Sequence, residues 1–476
     1  MTAGVAPPRY PRRAARRIAH LGIGRFHRAH QAAFLHRLLE AGHGEDWGYC
    51  AIALRPEDRA TLESLRSQDH LYSLWELDGA RQSARVIGSI MESVDAIADR
   101  APALATLADA ATRIVSLTIT EAGYCLDATG ALDRAHPDIV HDLAHPAQPR
   151  SVPALLVRAL AVRRAAGSGS LTLMSCDNLV ENGQRLRRAV LDFAALADAP
   201  LSRWIETEIS FPLSMVDRIT PAADAQREAG LRAQLDFDDA APVFCEPWLQ
   251  WVLEDDFRAG RPAFERAGVT FTREVKRYED AKLGLLNGGH SALSHAALLL
   301  GHQKVHLALA DPLVARWLDG YLREVETTLA PPAGLDLAAY RRSLIARFAN
   351  PAIEDRLLRL AQDSSQKFQQ VLRPPLLHRL ARGESVEHFA AAIALWLFWL
   401  RRIDTDATAR AAYLDSRKDA VLDWARAGDA AAFVTGTLAL PAADHAAFAP
   451  RVTAQLEVLQ RAGVAGLLST LNGDAS

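Results

Sequence analysis

Short apolar runs alternate with helix-like stretches along the first half of the chain. The apolar runs that resemble buried strands are residues 18–24, 49–54, 114–120 and 170–176. Between them, apolar residues recur with helical spacing at residues 30–40, 94–108 and 152–164. Because strand and helix alternate, the pattern predicts a mostly parallel sheet with helices on both faces.

The region from residue 71 to residue 90 does not follow this alternation of strands and helices. Its Asp78-Gly79 pair predicts a hairpin at an edge of the sheet or in a small accessory sheet. Beyond about residue 280, Ala, Leu and Arg recur with helical spacing almost to the end of the chain. We therefore predict an α/β, Rossmann-type N-terminal domain with a parallel sheet over residues 1–278, followed by an all-α C-terminal domain over residues 279–476.

The composition of the 476 residues is that of an ordinary globular protein, with 49% hydrophobic and 23% charged residues. A net charge of −3 argues against a nucleic-acid partner, because phosphate binding requires a basic surface. No apolar run reaches the ~18 residues that a membrane span needs. The most apolar stretch, residues 389–400, predicts a buried helix.

The four cysteines are widely separated, which is typical of reduced core thiols in a cytoplasmic protein.

A glycine pair follows the first predicted strand, in Gly22-Ile23-Gly24. In a dinucleotide-binding turn the first glycine permits the tight turn, and the second lets the backbone approach the pyrophosphate at the N-terminus of the next helix. The third glycine of the usual motif is missing, since His27 occupies its position. The strand and helix on either side nevertheless favour a dinucleotide site in the N-terminal domain.

Asp58 follows the second predicted strand, where an acidic side chain can bind a ribose 2′-hydroxyl and repel a 2′-phosphate. Its position favours NAD over NADP, although Arg55 nearby could accommodate a phosphate. The alternative is a surface turn with solvated charges. The candidate cofactor-binding residues are Gly22, Ile23, Gly24, Arg25, Phe26, Arg55, Asp58, Thr118 and Thr120.

Polar residues also cluster at four places in apolar or tight-turn surroundings. The clusters are Asp177-Asn178, Asp217-Arg218, the set Lys282, Asn287 and His290, and the set Arg359, Asp363 and Lys367. The first of them closes the fourth predicted strand, at the carboxyl end where open α/β sheets bind their ligands.

Lys282, Asn287 and His290 belong to one helical segment that also contains three glycines. At 100° per residue, Asn287 lies about 140° and His290 about 80° from Lys282 around a uniform α-helix, so the three side chains share one broad arc. The glycines are unfavourable in a helix and indicate close approach of another backbone or of a ligand. The alternative is a tightly packed helix whose polar residues only satisfy their neighbours.

Such a set suits alcohol oxidation, in which a base takes the hydroxyl proton while hydride leaves for a nicotinamide. A buried lysine such as Lys282 can be that base if burial and a neighbouring positive charge lower its pKa. Neutral amides such as Asn178 and Asn287 can stabilise the developing alkoxide without holding the amine in its charged form. This chemistry needs no metal.

Seven segments carry a family resemblance, in order and with matching spacing from about residue 18 to beyond residue 370. They read GIGRFHRAHQAAF, RIVSLTITEAGYC, MSCDN, MVDRITP, CEPWLQWVLED, GLLNGGHSAL and RFANPAI. Lys282, Asn287 and His290 meet a Lys-x4-Asn-x2-His pattern. On these residues the sequence resembles the mannitol 2-dehydrogenase branch of the polyol-specific long-chain dehydrogenases. The resemblance implies an NAD-dependent enzyme that acts on a small-molecule polyol as a monomer.

The resemblance also implies a role for each candidate. Lys282 would be the general base, and Asn178 and Asn287 would stabilise the alkoxide-like oxygen. His290 would bind a substrate hydroxyl, and Glu279, one helical turn before the lysine, would be the proton-relay carboxylate. The residues that would orient the remaining hydroxyl groups are Asp217, Arg359 and Lys367.

Several departures from the family pattern leave the identity of the polyol open. They are Arg25, Leu213, Val180-Glu181 and Ser364-Ser365-Gln366. The expected reaction is mannitol to fructose, with D-arabinitol to xylulose next.

Two other functions remain open on the sequence. A sugar-acid oxidoreductase such as a fructuronate reductase is a close alternative, because Arg359 or Lys367 could pair with a carboxylate. A non-catalytic NAD-binding sensor is the other, and the intact lysine, asparagine and histidine set argues against it.

Overall fold

The computed structural model describes residues 5–221 and 225–473. The chain divides into two units, Met1–Lys276 and Arg277–Ser476. The strands of the first unit are β1 (Arg16–Leu21), β2 (Trp47–Ala53), β3 (Tyr72–Asp78), β4 (Arg81–Ile87), β5 (Ile90–Asp95), β6 (Thr112–Leu117), β7 (Leu171–Ser175), β8 (Ile209–Ser210), β9 (Ser214–Asp217), β10 (Val243–Cys245), β11 (Gln250–Leu253) and β12 (Thr270–Phe271). Its helices are α1 (Arg25–Ala29), α2 (Gln31–Glu40), α3 (Arg59–Ser67), α4 (Ala101–Ala108), α5 (Pro137–Ala144), α6 (Val152–Ala166), α7 (Asn182–Ala197), α8 (Ala199–Glu208), α9 (Ala225–Arg232) and the start of α10 (Val275–Ala281). Short 3-10 helices occupy Pro56–Asp58, Glu121–Tyr124 and Phe264–Ala267.

Six of these strands form one sheet in the order β5-β2-β1-β6-β7-β8, and every neighbouring pair is parallel. This is the strand order of a doubly wound Rossmann sheet, whose direction of winding reverses between β1 and β6. All seven residues of β2 are buried, as expected for a central strand that is covered on both faces. The predicted Rossmann-type N-terminal architecture is therefore confirmed.

The carboxyl ends of the central strands lie level with one another. Leu21, the last residue of β1, pairs with Ile52 of β2 and with Leu117 of β6, and Leu117 in turn pairs with Ser175 of β7. Polar residues that follow these strands therefore collect along one edge of the sheet, next to the reversal point where such sheets bind nucleotides.

The helix predicted over residues 94–108 is wrong in its first half, because α4 begins only at Ala101. Val94 and Asp95 instead end β5, where they pair with Ile52 and Ala53 of β2. No glycine or proline separates the strand from the helix in the sequence, so the local pattern did not show the boundary.

Two small sheets accompany the main one. The predicted hairpin is confirmed, since β3 and β4 pair antiparallel around Gly79, whose φ is +57°, and β10 completes that sheet. The other small sheet, β12-β11-β9, was not predicted. Its strands have four residues or fewer, too short for a recognisable alternation.

The regular elements among the described residues of the second unit are all helices, which confirms the predicted all-α C-terminal architecture. After α10 they are α11 (Gly288–Leu299), α12 (Val305–Leu309), α13 (Pro312–Glu326), α14 (Leu337–Phe348), α15 (Leu357–Leu360), α16 (Ser364–Lys367), α17 (Arg373–Ala381), α18 (Glu387–Asp404), α19 (Ala407–Ala412), α20 (Lys418–Ala427), α21 (Ala430–Leu438) and α22 (Ala442–Leu471). Two π-helical turns, Lys282–Asn287 and Phe368–Leu372, interrupt the α-helices.

Helix α18 forms the centre of the second unit and packs against α11, α20 and α22. It contains the apolar stretch 389–400, and Trp396 in that stretch is fully buried, so the predicted buried helix is confirmed. Among residues 5–221 and 225–473, no helix combines the length and the apolar character that a membrane crossing requires.

Candidate active site

The chain turns sharply where β1 ends, at Gly22. This residue has a φ of +110°, which L side chains rarely adopt, and a Cβ built on it would lie 2.7 Å from the carbonyl oxygen of Thr118. Its N–H donates to Ile52 O at 3.0 Å, while Thr118 N–H donates to Leu21 O at 3.1 Å. Only glycine therefore fits where the ends of β1, β2 and β6 meet.

Gly24 has a different role, at the N-cap of α1, where no side chain caps the helix. A Cβ built on Gly24 would meet no heavy atom of the described residues within 4 Å, so the backbone borders open space. A dinucleotide needs this kind of open approach for its pyrophosphate. Ile23 between the two glycines is buried, whereas Arg25 is exposed. The turn fits a dinucleotide cofactor.

A histidine pair replaces the missing third glycine of the motif. The His27 ring stacks on His20 of β1 with ring centroids 3.5 Å apart and meets Tyr49 of β2 edge-on at 4.8 Å. Burial lowers the pKa of His27 to about 3, so the ring is neutral. In the usual motif a glycine lets the helix pack closely on the sheet, whereas here two stacked neutral rings fill the space between α1 and β1. The sequence signal was a histidine within the apolar strand β1, seven residues before His27.

The next candidate, Phe26, is half-buried and stacks on His30 with centroids 5.1 Å apart. Thr118 follows β6, and its hydroxyl is bonded to His20 Nε2 at 2.8 Å. Both side chains are therefore held by contacts within the first unit.

Asp58 closes the short 3-10 helix after β2. Its Oδ2 accepts hydrogen bonds from the N–H groups of Leu54 and Arg55, each at 3.1 Å. The carboxylate is half-buried, while Arg55 and Glu57 are exposed. The surface-turn interpretation holds in part, because one carboxylate oxygen caps the turn, but the cap also fixes the acid at the carboxyl end of β2.

Asp177 and Asn178, which are adjacent at the end of β7, differ in environment. Asp177 is buried and accepts hydrogen bonds from Ile119 N at 3.1 Å, Thr120 N at 2.9 Å and the Tyr124 hydroxyl at 2.6 Å. Burial raises the pKa of its carboxyl above the ordinary value. Asn178 is exposed. Asp177 is thus a structural acceptor, and Asn178 presents its side chain at the sheet edge.

The exposed Thr120 depends on this acceptor, since its φ is +65°, a strained value for a threonine. We expect Asp177→Asn to cost about 1–3 kcal/mol of stability, because an amide cannot accept three donors and its NH2 group opposes them. Chemical denaturation measures this loss. Tyr124→Phe removes only one donor and should cost less; an equal or larger loss for Tyr124→Phe would contradict the assignment.

Sequence reasoning missed Asn182 and Gly183, which fix β9 next to β7. The Asn182 amide donates to Asp177 O at 3.0 Å and to Ser214 O at 2.7 Å, and it accepts from Ser214 N at 3.2 Å. A Cβ on Gly183 would lie 2.6 Å from Pro212 O, so no larger residue fits there. An Asn-Gly pair at the start of a helix was the available signal.

The strand that Asn182 holds ends in Asp217, which is buried and pairs with Gln250 of β11. Arg218 is also buried, and its guanidinium bonds to the Glu76 carboxylate at 2.7 Å and to the carbonyl of Glu246 at 3.0 Å. The two members of this cluster therefore have different roles. Arg218 stabilises the first unit, and Asp217 remains a candidate for substrate binding.

The helix that carries Lys282 is not the uniform α-helix from which the angles of 140° and 80° were predicted. Helical backbone continues from Ala281 to Gly288, but residues Lys282–Asn287 form a π-helical turn in which Gly288 N–H bonds to Leu283 O, five residues back. Such an insertion places more residues in each turn. The angle between Asn287 and Lys282 around the helix axis is therefore smaller than the expected 140°. Lys282 is only 8% exposed, and Asn287 is half-buried.

The glycines of this segment serve helix packing. A Cβ on Gly284 would lie 2.9 Å from Val325, and a Cβ on Gly289 would lie 3.0 Å from Leu322, both on α13. Because a larger residue would push α13 away, the glycines let the segment approach it closely. The close approach inferred from the glycines is therefore to a neighbouring helix.

Two further candidates lie on either side of this turn. His290, on α11, is half-buried and stacks on Phe348 with ring centroids 4.0 Å apart, which fixes the plane of the imidazole. Glu279, on α10, is half-buried three residues before Lys282.

The second π-helical turn begins directly after Lys367 and contacts the first one. Lys367 Nζ donates to Leu360 O at 2.9 Å, and burial lowers the pKa of its amine. Arg359 is exposed and pairs through two nitrogens with Asp355, at 2.9 and 2.5 Å. Lys367 is thus a half-buried candidate, while Arg359 lies on the surface in an ion pair.

Comparison with known proteins identifies the family of this chain. Two family models match the chain, the mannitol dehydrogenase Rossmann domain over residues 16–266 and the mannitol dehydrogenase C-terminal domain over residues 274–450. A mannitol 2-dehydrogenase of Cereibacter sphaeroides is 42% identical over 83% of this chain and 83% of its own length. The D-mannonate oxidoreductase of Escherichia coli K12 is 40% identical over 83% of this chain and 82% of its own length.

Among solved structures, the ternary complex of Pseudomonas fluorescens mannitol 2-dehydrogenase with NAD and D-mannitol has a TM-score of 0.85 and 39% identity. The match covers 98% of this chain and 96% of that chain. The chain therefore belongs to the mannitol dehydrogenase family and is an oxidoreductase that acts on CH–OH groups.

Proposed function

We propose that this protein oxidises a secondary alcohol of an open-chain polyol to a ketose with NAD⁺, mannitol to fructose first and D-arabinitol to xylulose next. One observation carries the proposal: the amine of Lys282 is buried at the start of a π-helical turn that brings Asn287 towards the same face. A buried amine is the kind of base that alcohol oxidation at neutral pH requires. The NAD- and D-mannitol-bound relative supports the same choice.

The cofactor would be held by the glycine turn and by Asp58. The backbone at Gly24 would face the pyrophosphate, and the carboxylate of Asp58 would accept hydrogen bonds from the ribose hydroxyls. Arg25, Arg55 and Thr120 have exposed side chains that would contact the phosphates or riboses. When bound, NAD⁺ supplies the acceptor for the hydride that leaves the carbinol carbon.

The side chains of the protein would handle the proton and the oxygen. Lys282 Nζ takes the hydroxyl proton, and Glu279 relays it towards solvent, so that alcohol and NAD⁺ become ketone, NADH and one proton. The amides of Asn178 and Asn287 donate to the oxygen as its negative charge develops. The residues that orient the other hydroxyl groups are Asp217, His290, Arg359 and Lys367.

The charges around the candidate cations favour a neutral polyol over a sugar acid. Arg359 already forms a two-nitrogen ion pair with Asp355, and Lys367 lies in the field of Asp363 and Asp415 as well. A substrate carboxylate would be repelled by these acids, whereas an uncharged hydroxyl group is not repelled and can still accept a hydrogen bond from Lys367. A sugar-acid oxidoreductase stays the second candidate because of the D-mannonate oxidoreductase relative.

A panel of four substrates with both cofactors tests the proposal. Formation of NADH or NADPH is followed at 340 nm with mannitol, D-arabinitol, sorbitol and mannonate. We expect mannitol with NAD⁺ to give the highest kcat/KM. Turnover of mannonate alone would overturn the polyol assignment in favour of the sugar acid.

Removing the acid at the end of β2 tests the cofactor choice. We expect Asp58→Ala to raise the ratio of kcat/KM for NADP⁺ to that for NAD⁺ by about tenfold or more, because the 2′-phosphate no longer meets a carboxylate. The matched control is Glu57→Ala, which removes an exposed acid one residue earlier. An unchanged ratio in Asp58→Ala would contradict the assignment.

A further inference from the structure

The loop between α15 and α16, which leads to Lys367, is tied to a distant segment of the second unit, residues 412–416. Asp363 N–H donates to Leu414 O at 2.9 Å, and Ser416 N–H donates to Asp363 Oδ1 at 3.1 Å. Gln362 makes two more hydrogen bonds to the same segment: its amide NH2 donates to Ala412 O, and its amide oxygen accepts from Leu414 N–H. The two segments therefore hold each other reciprocally.

Asp415 is the centre of this contact. One carboxylate oxygen accepts from Ser365 N at 2.9 Å and the other from the Ser365 hydroxyl at 2.5 Å. The Tyr413 hydroxyl donates to the same carboxylate at 2.7 Å, as does Arg417 N–H at 2.9 Å. Four donors on one half-buried carboxylate give it a fixed orientation.

The contact is anchored in the core of the second unit. The Tyr413 ring is fully buried and meets Trp399 of α18 edge-on, with centroids 5.2 Å apart. On the other side of the loop, the Ser364 hydroxyl pairs with His295 Nε2 of α11 at 3.2 Å. Ser364 and Ser365, the first two residues of α16, therefore attach this turn to α11 and to the segment 412–416, at two of the positions where the chain departs from the family pattern.

This attachment constrains the position of Lys367. Helix α16 has only four residues, Ser364–Lys367, so the residue that Asp415 binds and the lysine share a single turn. Lys367 N–H bonds to Asp363 O at 3.0 Å, and its amine folds back onto Leu360 O. A shift of Ser365 would move the backbone of Lys367 in the same turn, and so disturb the hydrogen bond that holds its amine on Leu360 O.

We infer that Asp415 is a positioning residue for substrate recognition: through Ser365 it sets the place of the Lys367 amine, and so the fit of the polyol hydroxyl that this amine orients. The inference rests on the proposed role of Lys367 in binding the substrate. Asp415 itself touches neither substrate nor cofactor in this scheme. Its effect therefore falls on KM and on the discrimination between polyols, and kcat stays close to that of the parent protein.

Steady-state kinetics of the full-length protein with mannitol and NAD⁺ tests the inference. We expect Asp415→Asn to raise KM for mannitol by about tenfold, the size expected when a charge-assisted pair of hydrogen bonds is lost, with kcat changed by less than about threefold. The dissociation constant for NADH, from fluorescence titration, should not change. Ser365→Ala, which keeps the backbone bond, should shift KM in the same direction by a smaller factor.

The matched control is Asp429→Asn, which removes an exposed carboxylate that caps α21 through Ala431 N. It should leave KM unchanged, because it neutralises a carboxylate in the same way while the amide oxygen of asparagine can still cap the helix. The melting temperature of each variant is measured alongside, and if Asp415→Asn does not fold, Ser365→Ala carries the test alone.

The variant Lys367→Met distinguishes a failure of the proposed role of Lys367 from a failure of the positioning role of Asp415. If it leaves KM unchanged, the proposed role of Lys367 is wrong. If it raises KM while folded Asp415→Asn and Ser365→Ala do not, the positioning role is overturned and the proposed function stands. If all three raise KM, Asp415→Asn combined with Lys367→Met should give no further increase, since both act through one amine. Additive effects would overturn the inference.

Discussion

Replacing Lys282 by alanine is expected to lower kcat at neutral pH by between about a hundredfold and ten-thousandfold, the contribution usual for a positioned general base. The amine is buried at the start of the π-helical turn, so bulk water cannot readily replace it. The dissociation constant for NADH should change little, because Lys282 is not among the candidate cofactor-binding residues, which follow β1, β2 and β6. Stopped-flow and steady-state assays with mannitol measure the first quantity and fluorescence titration the second.

The control for this variant is Lys304→Ala, which removes a lysine that pairs with Glu354 in the same unit at 2.9 Å. It should leave kcat unchanged. Adding a small primary amine to Lys282→Ala should restore part of the rate, since the lost group is then replaced from solution. A kcat within threefold of the parent value would show that another group takes the proton.

The second large effect is expected at the glycine turn. Gly22→Ala should cost about 2–4 kcal/mol of stability, since it combines a positive φ with a Cβ placed 2.7 Å from a backbone carbonyl oxygen that cannot move away without disturbing β6. The same displacement should weaken NADH binding by more than about tenfold, because the turn and the end of β6 shift together. Denaturant unfolding and fluorescence titration measure the two changes.

Gly24→Ala is the matched control, two residues away. Its Cβ would enter space that is open with respect to the described residues, so stability should fall by no more than about 1 kcal/mol. NADH binding should nevertheless weaken, because that space is where we propose the pyrophosphate lies. If Gly24→Ala binds NADH as tightly as the parent protein, the cofactor does not approach the backbone at this residue.

The edge strands β5 and β8 of the main sheet were not predicted. Its four central strands could be predicted because they are covered on both faces. Such strands need an unbroken apolar run, and β2 provides seven buried residues in succession. The same reasoning failed for β9, β11 and β12, which are too short to show a pattern. It also failed at Val94 and Asp95, where nothing in the sequence separates strand from helix.

The candidate site shows a similar division. The residue types and the spacing of Lys282, Asn287 and His290 could be read directly, but the π-helical turn that relates the first two could not. A five-residue hydrogen-bond repeat has no recognised sequence pattern, and here it accompanies close packing of glycines on α13. The ion pair of Arg359, by contrast, was available from the sequence, since Asp355 lies four residues earlier.

The sequence by itself determined the class of fold, the glycine turn and the set of polar residue types that alcohol oxidation requires. These depend on local properties: apolar runs, glycine conformations and the intrinsic chemistry of side chains. Only the tertiary structure decided which member of each polar pair is structural, as with Asp177 beside Asn178 and Arg218 beside Asp217. It also decided that Asp415, far along the chain, orients the turn of Lys367. Burial and hydrogen-bond partners come from residues distant in sequence, so no local pattern contains them.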